Sequence, residues 1–244
     1  MVLAADPVFA RHRRWRLLDE AGAVAAGDVA EQLAADLALL AAVGQGGALP
    51  TLRLWRHRRA LVLGYRDTRL PGWQTAAEAR RQAGWSLAVR ASGGAAVPLD
   101  AGVLNLALVY PTAEFSVDQG FAAMHALIGT LCARIGLKAA PGLVTGGYCP
   151  GESDLAIDGR KFAGVSQRRQ KWATLVHAFL LVEGSGAARA RRAAAFYQQA
   201  AGGAPPTAYP QVRPEAMAAL RQLRGGAGST VAAVRRQLAA LLPS

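Results

Sequence analysis

The amino-acid sequence predicts an α+β domain with antiparallel strand pairing. Three observations support this class: an Asp158-Gly159 pair between short apolar runs, strand patterns concentrated in the first two thirds, and helical patterns that close the chain. An Asp-Gly pair in that setting is typical of a β-hairpin with a type I′ turn. Because strands and helices are mixed rather than strictly alternating, the pattern favours α+β over a doubly wound fold.

Helix and strand signals are mixed in the first half of the chain. Asp28 and Glu31 resemble the capping box that begins a helix, and one helical face then carries Val29, Leu33, Leu37 and Leu40. Short apolar runs predict strands at 51–55, 60–64, 86–90 and 103–110. Residues 74–83 predict a short helix that Gly84 ends.

Helical signals dominate the second half, apart from the hairpin and one long apolar strand. Helical spacing links Phe121, Met124, Ile128, Leu131 and Ile135, and Gly136 ends that helix. The hairpin strands are expected at 155–157 and 160–163, and the long strand at 173–182. An Ala- and Arg-rich helical tail begins at Ala187 and is broken at 202–206 and 225–228. Without an internal repeat or a linker, residues 1–244 predict one domain, with a core at about 15–183 and a C-terminal helical extension at 184–244.

Composition excludes several classes of protein. A hydrophobic content of 52% argues against disorder, and no uncharged apolar run reaches the length of a membrane span. Asp6 and the arginines after it interrupt the N-terminus, which lacks an apolar signal-peptide core, so we expect a cytoplasmic protein. Two cysteines make no disulfide framework, and metal and Walker motifs are missing from the sequence.

The net charge of +12 has two interpretations. It reflects a compositional bias towards arginine, or it attracts an acidic partner such as nucleic acid or an acidic carrier protein. The positive charges are scattered rather than striped, which disfavours nucleic acid. Against the bias, three lysines (Lys138, Lys161 and Lys171) and one asparagine (Asn105) remain. A residue type that persists in this way is a candidate for a role that its substitute cannot fill.

Two loops carry the residues with chemical potential. Gly93 and Gly94 follow a strand, where free backbone N–H groups can cradle an acyl carbonyl or a phosphate, although a Gly-Gly pair is more often only a turn. Cys149 lies in a Gly- and Pro-rich loop, unlike Cys132, which falls within a helix and is expected to pack in the core. Lys161 follows twelve residues later, and the hairpin turns it back towards Cys149. A catalytic Cys-Lys pair and a structural lysine both remain possible from this pattern.

Several spaced motifs together resemble a known family, the biotin/lipoate protein ligases and octanoyltransferases. The resemblance spans about residues 15–182 and rests on RASGGAAV at 90–97, VLNL at 103–106, YCPGESDL at 148–155 and GRKFAGVSQRR at 159–169. These runs are most similar to the octanoyl-[glycine-cleavage H protein]:protein N-octanoyltransferase branch. The resemblance implies the fold of class II synthetase and biotin/lipoate ligase catalytic domains, with a mixed, mainly antiparallel sheet flanked by helices.

The resemblance also implies an activity and its residues. Cys149 matches the residue that forms an acyl thioester in lipoate assembly, and Lys161 matches the lysine that favours the thiolate. The implied substrate-binding residues are Arg90, Ser92, Gly93, Gly94, Ala95, Ala96, Asn105, Gly164, Val165, Ser166 and Gln167. The implied partners are glycine-cleavage H protein, the lipoyl domains of 2-oxoacid dehydrogenase acyltransferase subunits and, as another donor, acyl carrier protein. Neither ATP nor a metal cofactor is expected, nor is binding to nucleic acid or membrane.

Three other functions compete with this interpretation. They are octanoyl transfer directly from acyl carrier protein, ATP-dependent lipoate–protein ligation, and a noncatalytic basic binding module. Ala95 stands where the ligase branch commonly has a third glycine, and only about sixty residues follow Val182, where ligases usually carry an accessory domain. Both departures, with the loop cysteine, favour a transferase. The donor, the choice between octanoyl and lipoyl groups, the oligomeric state and the role of the tail are left open by the sequence.

Overall fold

The computed structural model describes residues 3–12, 14–112 and 115–242, and these fold into seven α-helices and ten β-strands. The helices are α1 (Pro7–Arg11), α2 (Val29–Gly44), α3 (Trp73–Gln82), α4 (Val117–Arg134), α5 (Gly186–Ala200), α6 (Leu220–Arg224) and α7 (Val231–Ala239). The strands are β1 (Arg16–Asp19), β2 (Thr51–Trp55), β3 (Arg59–Leu63), β4 (Ser86–Val89), β5 (Val97–Asp100), β6 (Val103–Pro111), β7 (Ala140–Pro141), β8 (Leu155–Ile157), β9 (Arg160–Arg169) and β10 (Ala173–Leu181).

A seven-stranded sheet forms the centre of the fold, in the order β1-β2-β6-β10-β9-β8-β7. Among the described residues, β1 and β2 pair in parallel, and every other neighbouring pair of this sheet is antiparallel. The predicted fold class, α+β with a mixed, mainly antiparallel sheet, is therefore confirmed.

A second sheet of three strands, in the order β4-β3-β5, was not predicted. Its edge strand β5 contains Pro98, which weakens the sequence signal because proline cannot donate to a strand ladder. The predicted strands at 60–64 and 86–90 correspond to β3 and β4, but apolar patterning does not reveal which strands pair with which.

The hairpin is present where the Asp-Gly pair predicts it. Asp158 (φ 50°) and Gly159 (φ 71°) both occupy the left-handed region that a type I′ turn requires, and they join β8 to β9. The second hairpin strand extends to Arg169 rather than ending at residue 163, because β9 also pairs with β10 along most of its length.

Side chains cap the helices that flank the sheet. Asp28 Oδ1 accepts a hydrogen bond from Ala30 N (3.0 Å) at the start of α2. Ser116 and Gln119 form a reciprocal capping box that starts α4 earlier than its apolar spacing suggests. Gly84 (φ 78°) and Gly136 (φ 75°) lie in the left-handed region just beyond α3 and α4, as expected of helix-ending glycines.

The large sheet separates two apolar layers. Alternate residues of β10 point to opposite faces, so Val176 and Ala178 join the core beneath α4, while Ala173 and Leu175 join the cluster beneath α2. The small sheet packs against α3 and α5. Within the described residues, no helix combines the length and apolarity needed to cross a membrane.

The C-terminal helices are built into the same core. Leu220, Val231, Val234 and Leu238 are buried in the cluster that also contains α4 and β10. The segment before α6 reaches the hairpin, where Ala218 N donates a hydrogen bond to the carbonyl of Lys161 (3.0 Å). The predicted helical tail is thus present, and it packs directly against the strand that carries the predicted lysine.

Candidate active site

A cavity of about 430 Å³ lies between the glycine loop that precedes β5, the Cys149 loop and strands β9 and β10. Its walls are mainly apolar, with a few polar groups directed inward, which is the usual composition of a small-molecule site. Of the predicted site residues, those that line it are Arg90, Gly93, Gly94, Asn105, Cys149, Gly164, Val165, Ser166 and Gln167.

The thiol of Cys149 is half-buried in the wall of this cavity. Its backbone has φ 47°, in the left-handed region that residues other than glycine rarely occupy. Two hydrogen-bond donors point at the sulfur: Arg90 Nη2 and the backbone N–H of Ala95, each 3.2 Å away. A guanidinium and an amide N–H are donors suited to a negatively charged sulfur.

The glycine loop brings its backbone against the sulfur because it carries no side chain at Gly94. A Cβ at this residue (φ 105°) would lie 2.8 Å from Cys149 Sγ and would collide with the Arg90 guanidinium. Arg90 also holds the loop itself, donating to the carbonyls of Gly93 (2.9 Å) and Ala95 (2.8 Å). The loop and its arginine thus form one unit around the thiol.

Helix α5 holds the glycine loop in place through a hydrogen bond that its residue Tyr197 accepts. The Tyr197 hydroxyl accepts a hydrogen bond from Ala96 N (2.8 Å) and donates one to Asp67 Oδ1 (2.9 Å). The second carboxylate oxygen of Asp67 accepts from Gly64 N (2.8 Å). Burial raises the pKa of the Tyr197 phenol and that of the Asp67 carboxyl above their ordinary values. The phenol therefore keeps its proton and serves as a donor.

Lys161 lies beneath the Cys149 loop and is fully buried. Its Nζ donates to the carbonyls of Tyr148 (3.0 Å) and Cys149 (2.5 Å) and lies 2.6 Å from Asp154 Oδ2. Burial raises the pKa of the Asp154 carboxyl above its ordinary value, with Lys161 acting in the opposite direction. The hairpin therefore brings Lys161 to Cys149 as predicted, but the ammonium contacts the cysteine's backbone rather than its sulfur. The sequence could not distinguish these contacts because spacing places residues near one another without specifying their atoms.

The remaining predicted residues divide between the cavity wall and its supports. Asn105 Nδ2 donates to the carbonyl of Trp55 (3.4 Å). Ser92 lies outside the lining and accepts a hydrogen bond from Ser166 Oγ (3.2 Å). Ala95 and Ala96 are also absent from the lining, and they act through their backbone N–H groups.

A polar network behind the cavity was missed by the sequence interpretation. Arg53 Nη1 and Asp36 Oδ1 form a buried ion pair (2.6 Å), and Trp55 Nε1 donates to Asp36 Oδ2 (3.3 Å). Burial raises the pKa of Asp36 to about 6. His177 lines the cavity with Nδ1 3.9 Å from Asp36 Oδ2. The sequence contains one sign of this network: His177 is the single histidine within the apolar strand β10, ATLVHAFLL.

Aromatic rings form part of the apolar wall. Phe179 lines the cavity and stacks on buried Tyr148, with ring centroids 5.5 Å apart. Gly164 faces Phe179, and a Cβ added there would lie 2.5 Å from the ring. Glycine at this position therefore leaves room for the ring. Among the described residues, no group of three or more His, Cys, Asp or Glu side chains is arranged to hold a metal ion.

Comparison with known proteins identifies the family. The lipoyl protein ligase A/B catalytic domain model matches residues 28–242. An octanoyl-[GcvH]:protein N-octanoyltransferase of Geobacillus kaustophilus is 42% identical over 218 residues, covering 88% of this chain and 77% of the relative. A lipoyl-[GcvH]:protein N-lipoyltransferase of Listeria monocytogenes is 35% identical over 213 residues, covering 86% of this chain and 76% of the relative.

Solved structures agree at the level of the fold. A putative lipoate protein ligase from T. acidophilum with bound lipoic acid superposes with a TM-score of 0.67 at 24% identity, covering 94% of this chain and 83% of that one. A lipoate-protein ligase A bound with ATP gives a TM-score of 0.67 at 24% identity, covering 93% and 82%. The chain therefore belongs to the lipoyl protein ligase A/B catalytic domain family, as its sequence motifs predicted.

Proposed function

We propose that this protein is an acyltransferase that moves an octanoyl group from a carrier protein to a lysine of a lipoyl domain, through a thioester on Cys149. One observation carries the proposal: a half-buried thiol in the wall of a mainly apolar cavity, with a guanidinium and a backbone N–H directed at its sulfur. The name of the Geobacillus relative supports octanoyl transfer, and the names of both relatives support the same carrier, GcvH, the glycine-cleavage H protein.

The reaction proceeds in two balanced halves. In the first, the Cys149 sulfur attacks the carbonyl carbon of an octanoyl-lysine amide; a C–S bond forms, the C–N bond breaks, and the leaving amine gains the proton that the thiol gave up. In the second, a lysine amine of the acceptor attacks the thioester and regenerates the thiol. Since an amide is broken and an amide is made, the overall free energy change is small, and we propose that neither ATP nor a metal takes part.

The cavity suits a saturated acyl chain. Its apolar lining includes Leu33, Val62, Leu106, Phe121 and Phe179. Each methylene that leaves water for such a surface stabilises the complex by about 0.8 kcal/mol. The glycine loop supplies the Ala95 backbone N–H beside the sulfur, where a tetrahedral intermediate would place its oxyanion. We therefore propose that the loop binds the reacting carbonyl and that the apolar walls hold the chain.

The names of similar proteins suggest the partners. We propose GcvH as donor and the lipoyl domains of 2-oxoacid dehydrogenase acyltransferase subunits as acceptors, in the cytoplasm and with residues 1–244 acting as one catalytic domain. A lipoyl domain is the partner of a related archaeal ligase, as the name of that solved structure states. Acyl carrier protein is the competing donor.

Intact mass measurement tests the proposal directly. After incubation with octanoylated GcvH, the protein should gain the mass of one octanoyl group, and Cys149→Ser should gain none. Cys132→Ser is the matched control: burial in α4 raises the pKa of the Cys132 thiol to about 12, so this cysteine stays protonated and its loss should leave the adduct unchanged. Absence of an adduct on the unmodified protein, or an adduct that survives Cys149→Ser, would refute the thioester.

Two further arms separate the competing functions. Octanoyl-acyl carrier protein in place of octanoylated GcvH tests the alternative donor, which should give a slower adduct if GcvH is the carrier. Lipoate with ATP and a lipoyl domain tests ligase activity. Cys149→Ala would retain the second activity if the protein were an adenylate-forming ligase, whereas a thioester-dependent transferase loses all turnover.

A further inference from the structure

We infer that Arg90 is the direct charge partner of the Cys149 sulfur, and that Lys161 is a positioning residue that holds the cysteine's backbone. This assignment rests on the proposed thioester for its place in turnover. Arg90 then supplies the charge beside the sulfur and Lys161 supports the backbone, two roles that the lysine of a Cys-Lys pair would otherwise combine. The two cations differ in the atoms that they contact.

The Lys161 ammonium has three protons, and three acceptors surround it. They are the carbonyls of Tyr148 (3.0 Å) and Cys149 (2.5 Å) and Asp154 Oδ2 (2.6 Å). An ammonium group can donate three hydrogen bonds, so these contacts use its capacity fully. A buried ammonium also needs a buried anion, and Asp154 supplies that charge. Lys161 therefore has no proton left for the sulfur in this arrangement.

The same three contacts explain how Cys149 keeps its unusual backbone. A φ of 47° at a non-glycine residue persists only where the surroundings enforce it. Lys161 binds the carbonyls on both sides of the Cys149 α-carbon, those of Tyr148 and Cys149, and Asp154 accepts from the N–H of Gly151 (3.0 Å), two residues after Cys149. Together these groups hold the loop at both ends of the reactive residue and turn its thiol towards the glycine loop.

Arg90 contacts the sulfur directly. Its Nη2 lies 3.2 Å from Sγ, and its other donors are fixed on the carbonyls of Gly93, Ala95 and Val62. Arg90 is buried, so the positive charge beside the sulfur is shielded little by water. The guanidinium stays charged at every working pH and is held in place before the reaction starts. Arg90 thus touches the reacting atom, whereas Lys161 acts through the backbone.

Competitive alkylation distinguishes a cation at the sulfur from one behind the loop. The measured quantity is the rate of Cys149 modification by anionic iodoacetate divided by the rate with neutral iodoacetamide, followed by intact mass at neutral pH. Both reagents consume the same thiolate, so their ratio, normalised to free N-acetylcysteine, reports the local charge. In the protein without substitutions, the ratio of the iodoacetate rate to the iodoacetamide rate should be about ten times that of the free thiol. This is the effect of a full positive charge a few ångströms from the sulfur.

Substitutions of single arginines test which residue supplies that charge. Arg90→Gln should bring the ratio down to the value of the free thiol, and Arg90→Lys should retain part of the excess. Arg168→Gln is the matched control, because Arg168 also holds the glycine loop, through the Ala91 carbonyl (2.9 Å), without touching the sulfur. Its ratio should stay within about twofold of the unmodified protein, since the nearest cation is unchanged.

Lys161→Met should keep the elevated ratio while lowering the rate of octanoyl-adduct formation, because the thiol is no longer held in place. The double variant Asp154→Asn, Lys161→Met repeats the measurement without an uncompensated buried carboxylate. The inference is overturned if the unmodified protein shows no excess over free thiol, if Arg90→Gln keeps the excess, or if the Lys161 variants lose it. Alkylation needs no acyl donor, so failure of the proposed acyl transfer would be seen separately, as a missing adduct on the unmodified protein.

Discussion

At the scale of single residues, His177 shows how strongly the cavity perturbs its side chains. Burial is the main cause, and the nearby guanidiniums of Arg90 and Arg53 add to it; together they lower the pKa of His177 to about 3. The imidazole is therefore neutral in the folded protein and carries one donor and one acceptor nitrogen. In the unfolded chain the same ring titrates near its ordinary value of 6.5.

This difference predicts acid sensitivity. Between pH 6.5 and pH 3 the unfolded state binds more protons than the folded state, so stability from the neutral histidine is fully present above pH 6.5 and is lost as the pH falls. Between pH 7 and pH 5 the protein should lose about 2 kcal/mol more unfolding free energy than His177→Gln, measured by urea denaturation. The raised pKa of Asp36 has the opposite effect, because its carboxyl stabilises the folded state as the pH falls. Asp36 is present in both proteins, so its effect is common to the two. Equal losses in the two proteins would contradict the prediction.

At the scale of elements, the glycine loop depends on a helix that lies far from it in sequence. Tyr197 of α5 connects Ala96 to Asp67, and Asp67 connects onward to the end of β3 through Gly64. A backbone loop positioned by buried hydrogen bonds loses its geometry when one partner is removed, because the remaining groups stay unsatisfied. The C-terminal part of the chain thereby contributes to the site.

Tyr197→Phe should therefore weaken both the fold and the chemistry. It leaves Ala96 N–H and Asp67 Oδ1 without their partner, which costs about 1–3 kcal/mol in urea denaturation. Formation of the octanoyl adduct should slow as well, because Ala95 N–H, next along the loop, loses its alignment with the sulfur. Tyr209→Phe removes a hydroxyl from the ring stacked on Tyr197 and is the matched control, expected to change stability by less than about 0.5 kcal/mol. A Tyr197 variant that behaves like this control would contradict the support role.

Secondary structure at this scale was largely predictable, whereas strand partners and atomic contacts were not. The Asp158-Gly159 turn specified its hairpin because few backbone geometries suit that pair. By contrast, β5 was missed, since its short run contains Pro98 and its pairing depends on distant residues. Cys149 and Lys161 were correctly placed together by the hairpin. Their contact through the backbone, and the approach of Arg90 to the sulfur, required the three-dimensional arrangement of loops that are 59 residues apart.

At the scale of the whole molecule, the positive charge of +12 gives the protein a long-range field. Such a field raises the encounter rate with an acidic partner and is screened by salt. We expect kcat/KM for transfer to an acidic lipoyl domain to fall about tenfold as ionic strength rises from about 0.01 M to about 0.15 M. Steady-state kinetics across this range measure the effect. An uncharged octanoyl thioester as donor is the control for adduct formation and should be insensitive to salt; a lipoyl domain that behaves in the same way would exclude steering.

The acceptors around Lys161 also account for an oddity of composition. Only three of the 28 basic residues are lysines, and two of them, Lys138 and Lys171, are exposed to solvent. The ammonium of Lys161 is a compact point charge that fits among acceptors converging on one atom, whereas a guanidinium is a flat fork of greater width. In a chain that has arginine at 25 of its 28 Lys and Arg positions, this pocket suits the ammonium better than the guanidinium. The shape of this pocket thus accounts for a lysine at residue 161, where most other basic positions of the chain carry arginine.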